Sequence, residues 1–224
     1  VIAPNNANTL YAATWERTRR AWNFVESGEG SGIYKSEDGG VNFTRLESTF
    51  NKYSAIHDME VHNGRVFAAT DDSGLIVSDD GGLSWSRSLG AGQFGISDRA
   101  ADIEVASDGD LYATMGLGSS EDGVYRSTDN GFNWTWKEFP FTGYQRIEIA
   151  ISHSNPNIIF ALAEDDDGGG VKYIVKSIDK GDNWEIIEAP GAQGMDNFAR
   201  NQAFYDLSLV IDPSNPDRIY IGGI

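Results

Sequence analysis

Four copies of one octet, Ser-x-Asp-x-Gly-x-x-aromatic, begin at Ser36, Ser78, Ser127 and Ser177, so the chain repeats itself every 42 to 50 residues. A period of that length marks a repeat fold, in which each copy is one supersecondary unit and neighbouring units bury a continuous core between them. The spacing suits one four-stranded sheet per copy. Twenty-six glycines, 6 tryptophans and 9 tyrosines in 224 residues agree with a turn-rich all-β chain long enough for a large core. No segment reads as a convincing helix.

The octet has the chemistry of a hairpin turn. Its carboxylate (Asp38, Asp80, Asp129, Asp179) can accept hydrogen bonds from turn amides, and its glycine (Gly40, Gly82, Gly131, Gly181) takes a positive φ without a Cβ clash. The closing aromatic (Phe43, Trp85, Trp134, Trp184) starts the returning strand and can pack over the turn. Apolar and aromatic residues lead into each copy, as in Ile33-Tyr34 and Val124-Tyr125, and give the alternation of a strand. These octets resemble Asp boxes, or BNR repeats, which occur in sialidases, sortilin-type receptors and secreted bacterial β-propellers. The resemblance extends over essentially the whole chain and implies fold far more than activity.

A second repeat is independent of the first. Residues 210–222 read against 1–13 and 151–162, each as a strand, a turn rich in Pro, Asn and Ser, and another strand. Asn63-Gly64 and Asp108-Gly109 are shorter tight-turn versions of the same unit. Each repeat therefore runs as strand A, a tight turn, strand B, a variable loop, strand C, the octet and strand D. The expected fold is an all-β propeller of four-stranded antiparallel blades with Asp-box hairpins. It is one segment over 1–224, about four and a half blades, with repeats at approximately 1–50, 51–95, 96–140, 141–190 and 191–224. Because the chain opens in a strand A and stops after a strand B, both ends supply the same strands. The expectation is an incomplete portion of a larger propeller, with the rest of a longer chain at both ends; the alternative is a closed four-bladed ring.

Antiparallel order puts the A–B turns and octets on one rim and the B–C and D–A loops on the other, and the variable loops are the expected seat of binding. The loop from Trp15 to Ser31 carries Trp15, Arg17, Arg19, Arg20 and Trp22, a set that can grip a carboxylate or stack on a sugar. Its structural alternative is that the arginines pair with neighbouring blades. The connection from Ala189 to Tyr205 adds Phe198, Arg200, Phe204 and Tyr205 ahead of Asp206, and the other strand-A starts carry His57 and Asp58, Arg99 and Asp102, and Tyr144 and Arg146. Glu60, Glu104 and Glu148 recur two residues further on, with Ser208 in the fourth place. Repeated carboxylates can line a polar channel or, more simply, accept hydrogen bonds between blades.

Two functions remain open on these residues. One is a non-catalytic binding or scaffolding propeller, engaging protein or glycan through the rim opposite the octets. The other is a glycoside hydrolase of the Asp-box class, with Asp58, Asp102 or Asp206 as acid and base. No cofactor is expected, although Asp165-Asp166-Asp167-Gly168 is a loop that can hold calcium, without the alternating ligand spacing of a dedicated calcium loop. Other metal patterns are missing: there is no cysteine, and His57, His62 and His153 are scattered. Lys+Arg of 17 against Asp+Glu of 34 leaves a net charge of −17, which repels phosphate backbones and anionic membranes. No run of about 18 apolar residues is present. The resemblance implies a bacterial protein at the cell surface or outside the cell.

Overall fold

The computed structural model of the chain describes residues 1–14, 31–53, 55–90, 99–116, 122–140, 142–167, 169–187, 198–199 and 202–223. Strands β1 (Leu10–Thr14), β2 (Gly32–Ser36) and β3 (Thr44–Arg45) form the first sheet. Ile2 bridges Leu10 at its inner edge, a one-residue strand A. The second sheet is β4 (Ile56–His62), β5 (Arg65–Thr70), β6 (Gly74–Ser78) and β7 (Ser86–Leu89). The third is β8 (Ala100–Val105), β9 (Leu111–Met115), β10 (Gly123–Ser127) and β11 (Thr135–Lys137), and the fourth is β12 (Tyr144–Ile151), β13 (Ile159–Asp165), β14 (Val171–Ser177) and β15 (Glu185–Ile186). One helical turn, α1 (Ala203–Asp206), precedes the pair β16 (Ser208–Ile211) and β17 (Ile219–Gly222). The strands pair in sequence order, so every sheet is an antiparallel meander.

The turn α1 corrects the sequence reading, in which no helix was expected and Asp206 stood at the start of a strand. Asp206 ends α1 instead, its N–H donating to the Gln202 carbonyl at 3.2 Å, and strand A begins two residues later.

All four octets close in the same way. The serine hydroxyl donates to the aspartate Oδ1 at 2.8 Å in each copy, and accepts the N–H of Gly40, Gly82, Gly131 or Gly181 at 2.7–2.9 Å. The aspartate then takes the backbone N–H two residues past that glycine at 2.8–2.9 Å. Its second oxygen takes the side chain of the same residue, Asn42, Ser84, Asn133 or Asn183, at 2.5–2.7 Å. Two successive residues lie in the left-handed region, which explains the glycine: φ is +64° at Lys180 and +84° at Gly181 in the last copy. The octet meets the A–B turn of its own sheet, since the Gly39 N–H donates to the Asn8 carbonyl and that of Lys180 to the Asn157 carbonyl, both at 3.0 Å.

Two compact units are present, Val1–Gln93 with Asp98–Ile103, and Phe94–Ser97 with Glu104–Ile224. In the first, Tyr11, Ile33, Tyr53, Met59, Val61, Val66 and Ile76 form the core between the first two sheets. In the second, Tyr112, Val124, Tyr144, Ile147, Ile149, Ile159 and Val175 do the same, and α1 closes a smaller cluster through Ala203. Strands β5, β6 and β9 are buried at every residue. The simple alternation read from the sequence therefore gives way to strands covered on both faces, as the middle strands of stacked sheets must be.

Candidate functional site

Opposite the octets, the loops between strands B and C meet the starts of the A strands. In the first unit the Asp71 N–H donates to the Ala55 carbonyl at 3.1 Å, which ties the β5–β6 loop to the approach to β4. In β4 the register shifts between Ile56 and Asp58, a bulge that turns both His57 and Asp58 away from the core side. His57 Nε2 lies 3.1 Å from Asp71 Oδ1, and Arg99 Nε reaches the same oxygen at 2.6 Å. Hydrogen bonding from His57, aided by the Arg99 charge, holds the Asp71 carboxyl below the usual carboxylate range.

Beside this cluster Asp58 and Asp102 share a hydrogen bond, and Asp58 Oδ2 also accepts the Ile103 N–H at 3.2 Å. Asp102 is only 4 % exposed. Burial pushes the Asp58 carboxyl up, because desolvation outweighs the amide hydrogen bonds that favour its charged form. Glu60 lies two residues along the same face of β4, and burial together with the Asp58 charge raises it to about 7. Acids whose pKa values are displaced by burial in this way cluster at functional sites.

The second unit has its own set. Tyr144 opens β12, and its hydroxyl donates to the Asp122 carbonyl at 2.9 Å in a buried bond. Burial pushes that hydroxyl up to about 12, so it remains a donor. A second bulge lies between Tyr144 and Ile147, and beside it Arg146, its side chain 12 % exposed, meets Glu148 Oε2 through Nη2 at 2.7 Å. The Arg146 N–H donates to Glu164 Oε2 at 3.4 Å. In the acidic loop, the Lys172 ammonium lies 2.9 Å from Asp165 and 3.4 Å from Asp166. A side-chain cation thus pairs with two of the loop's three aspartates. Among the described residues no group of three or more acids or histidines is placed to hold a metal.

Of the residues singled out from the sequence, Asp58 and Asp102 are brought into direct contact with each other, while Tyr144 and Arg146 stand at the start of β12. Trp15, Arg17, Arg19, Arg20, Trp22 and Arg200 lie outside the described residues, as does the side chain of Tyr205 within α1. Sequence reasoning missed Asp71, Asp122 and Glu164. A signal existed for Asp71, since Thr70-Asp71-Asp72-Ser73-Gly74 is a short turn directly after strand B.

No family model matches the sequence, and no curated protein matches it either. Among solved structures the chain is similar to the Niastella koreensis GH74 enzyme, with a TM-score of 0.66 at 16 % identity, over 98 % of this chain and 34 % of that one. It is similar to the GH74 xyloglucanase from Xanthomonas campestris, with a TM-score of 0.64 at 17 % identity and the same coverage. It also resembles YCF48 bound to D1 peptide, with a TM-score of 0.55 at 18 % identity, over 86 % of this chain and 55 % of that one. The chain spans about a third of the length of the GH74 enzymes. Among the described residues no helix is long and apolar enough to cross a membrane. At these identities the likeness is one of fold, and the fold is a β-propeller of four-stranded antiparallel blades.

Proposed function

We propose that the chain is a non-catalytic binding propeller of a secreted or cell-surface bacterial protein of the Asp-box class, taking protein or glycan at the rim opposite the octets. The observation that carries this reading is that the strand-start acids are engaged within the protein: Asp58 Oδ2 accepts the Ile103 N–H at 3.2 Å and is hydrogen-bonded with Asp102. Asp71, held by His57 and Arg99, is likewise engaged within the protein. YCF48 bound to D1 peptide is a propeller of similar fold that takes a peptide, and it agrees with this class of function.

A second reading has its own support. Glu60, raised to about 7, is matched to general-acid work near neutral pH, and the GH74 enzymes share the fold. The two are separated by a screen for glycan hydrolysis with the full-length protein, run beside capture of partners on immobilised protein. The binding reading expects no turnover, and expects Trp22→Ala or Arg200→Ala to weaken capture while the circular dichroism spectrum stays unchanged. Turnover abolished by Asp102→Asn or Asp206→Asn would overturn it.

A further inference from the structure

The sixth position of the octet is occupied by Val41, Leu83 and Phe132 in the first three copies, and these side chains are 79 %, 76 % and 69 % exposed. The hydrogen bonds that close the octet run through its serine, aspartate, glycine and seventh residue, so the turn needs no apolar side chain there. The fourth copy has Asp182 at this place, which pairs with Lys137 at 2.5 Å. Large apolar groups held largely in water at the tips of rigid hairpins mark contact surfaces.

In the first unit one of these tips borders a groove. A cavity of about 430 Å³ lies between the first two octets, lined by Lys35, Glu37, Asp38, Leu46, Gly81 and Leu83, among others. Thr44 of β3 lines it too, and β3 is the edge strand of its sheet, so an extended segment can run alongside. Its charge is net acidic. The lining carries Glu37 and Asp38 against Lys35, which is paired with Glu37 at 2.9 Å. Hydrogen bonds within the turns hold Asp38 and Asp80 at about 2, so both stay ionised under any physiological condition. The net charge of −17 adds a long-range field of the same sign. The groove's lining includes no aromatic ring on which a sugar could stack.

We propose that this groove docks an extended, basic peptide segment of a partner protein, with an aliphatic side chain against Leu83 and Leu46 and a flanking lysine or arginine against the exposed Glu37 carboxylate. The site lies on the octet rim and goes beyond the function proposed above, so either can fail while the other stands.

The test is fluorescence anisotropy with a labelled Lys-Leu-Lys-Leu-Lys peptide, compared with its Lys-Ala-Lys-Ala-Lys and Glu-Leu-Glu-Leu-Glu counterparts. The leucine-bearing basic peptide is expected to bind best, and to weaken as salt is raised. Leu83→Ser should weaken it about tenfold, Glu37→Lys should weaken it as well, and Phe132→Ser, in the other unit, should leave it unchanged. Equal binding of the alanine peptide, indifference to Leu83→Ser, or an equal loss with Phe132→Ser would overturn the proposal. So would sedimentation showing that the chain self-associates and that Leu83→Ser disperses it, since the tips would then pair two copies.

Discussion

Glu60→Gln isolates the charge that the strand-start cluster holds against the grain of its surroundings. Burial and the neighbouring Asp58 raise Glu60 from its usual 4.5 to about 7. The folded state therefore binds this proton more tightly than the unfolded chain does. Its contribution to stability is fully present below the unfolded value of 4.5, and is lost as the pH rises through about 7. A shift of that size corresponds to about 3 kcal/mol, and because Glu60 keeps part of its surface in water, screening reduces the figure to about 1–2 kcal/mol. Glutamine preserves the shape and removes the ionisation.

Thermal unfolding followed by circular dichroism at mildly acidic and mildly alkaline pH reads the difference. The two proteins should have similar Tm values on the acidic side. Above neutrality the Gln variant should melt higher by about 2–8 °C, at roughly 2–4 °C per kcal/mol for a chain of this length. A Gln variant that melts with or below the parent at alkaline pH would mean that the Glu60 carboxylate is stabilised where it stands, and the reasoning fails. The octets work in the opposite sense. Asp38 and Asp80, held near 2 by hydrogen bonds from Asn42 and Ser84, give stability that is present above the usual 3.8 and lost as the pH falls through about 2. The chain should accordingly be most stable at mildly acidic pH.

Gly64 and Gly74 share a positive φ, of +82° and +69°, but a Cβ at Gly64 meets nothing within 4 Å whereas one at Gly74 overlaps the Leu89 carbonyl oxygen. Gly64→Ala should cost about 1 kcal/mol and Gly74→Ala about 3 kcal/mol in urea titrations, and equal costs would show that β7 yields without penalty. Lys180, left-handed at φ +64°, bonds Asp108 and Asp110, so Lys180→Gly exchanges exposed ion pairs for relief of backbone strain, whereas Lys180→Ala loses the pairs and keeps the strain. The Gly variant should be more stable than the Ala variant by about 1 kcal/mol, and the reverse order would show that the left-handed backbone at this position carries no penalty for a Cβ.

The octets were legible because everything that closes them lies within eight residues of chain. Ser78, Asp80, Gly82 and Ser84 carry donors, acceptors and backbone freedom in the order the turn uses them. The Asn63-Gly64 turn could be read for the same reason, and both residues take positive φ. The strand-start cluster could not be read so directly. His57 and Asp71 are 14 residues apart, and the bond from Ile103 to Asp58 spans 45. Such pairings depend on register, and a one-residue bulge in β4 decides where His57 and Asp58 point. No local pattern announces a bulge at Ile56-His57-Asp58. The single turn of α1 escaped notice because four residues, Ala203 to Asp206, are too few to show a helical period.

This division by range separates the two rims functionally. An octet aspartate accepts from its serine, from a backbone N–H and from a side chain, so its oxygens are committed to the turn and have little left to offer a ligand. What such a turn can offer is the side chain that its hydrogen bonds do not constrain, the sixth residue, and there the chain places Val41, Leu83 and Phe132 in water. At the other rim polar groups are paired between strands, as Asp58 is with Asp102 and the Arg146 N–H with Glu164. Changes to the octet aspartates should therefore alter stability before binding. Changes at the sixth octet position should alter binding and leave stability almost untouched.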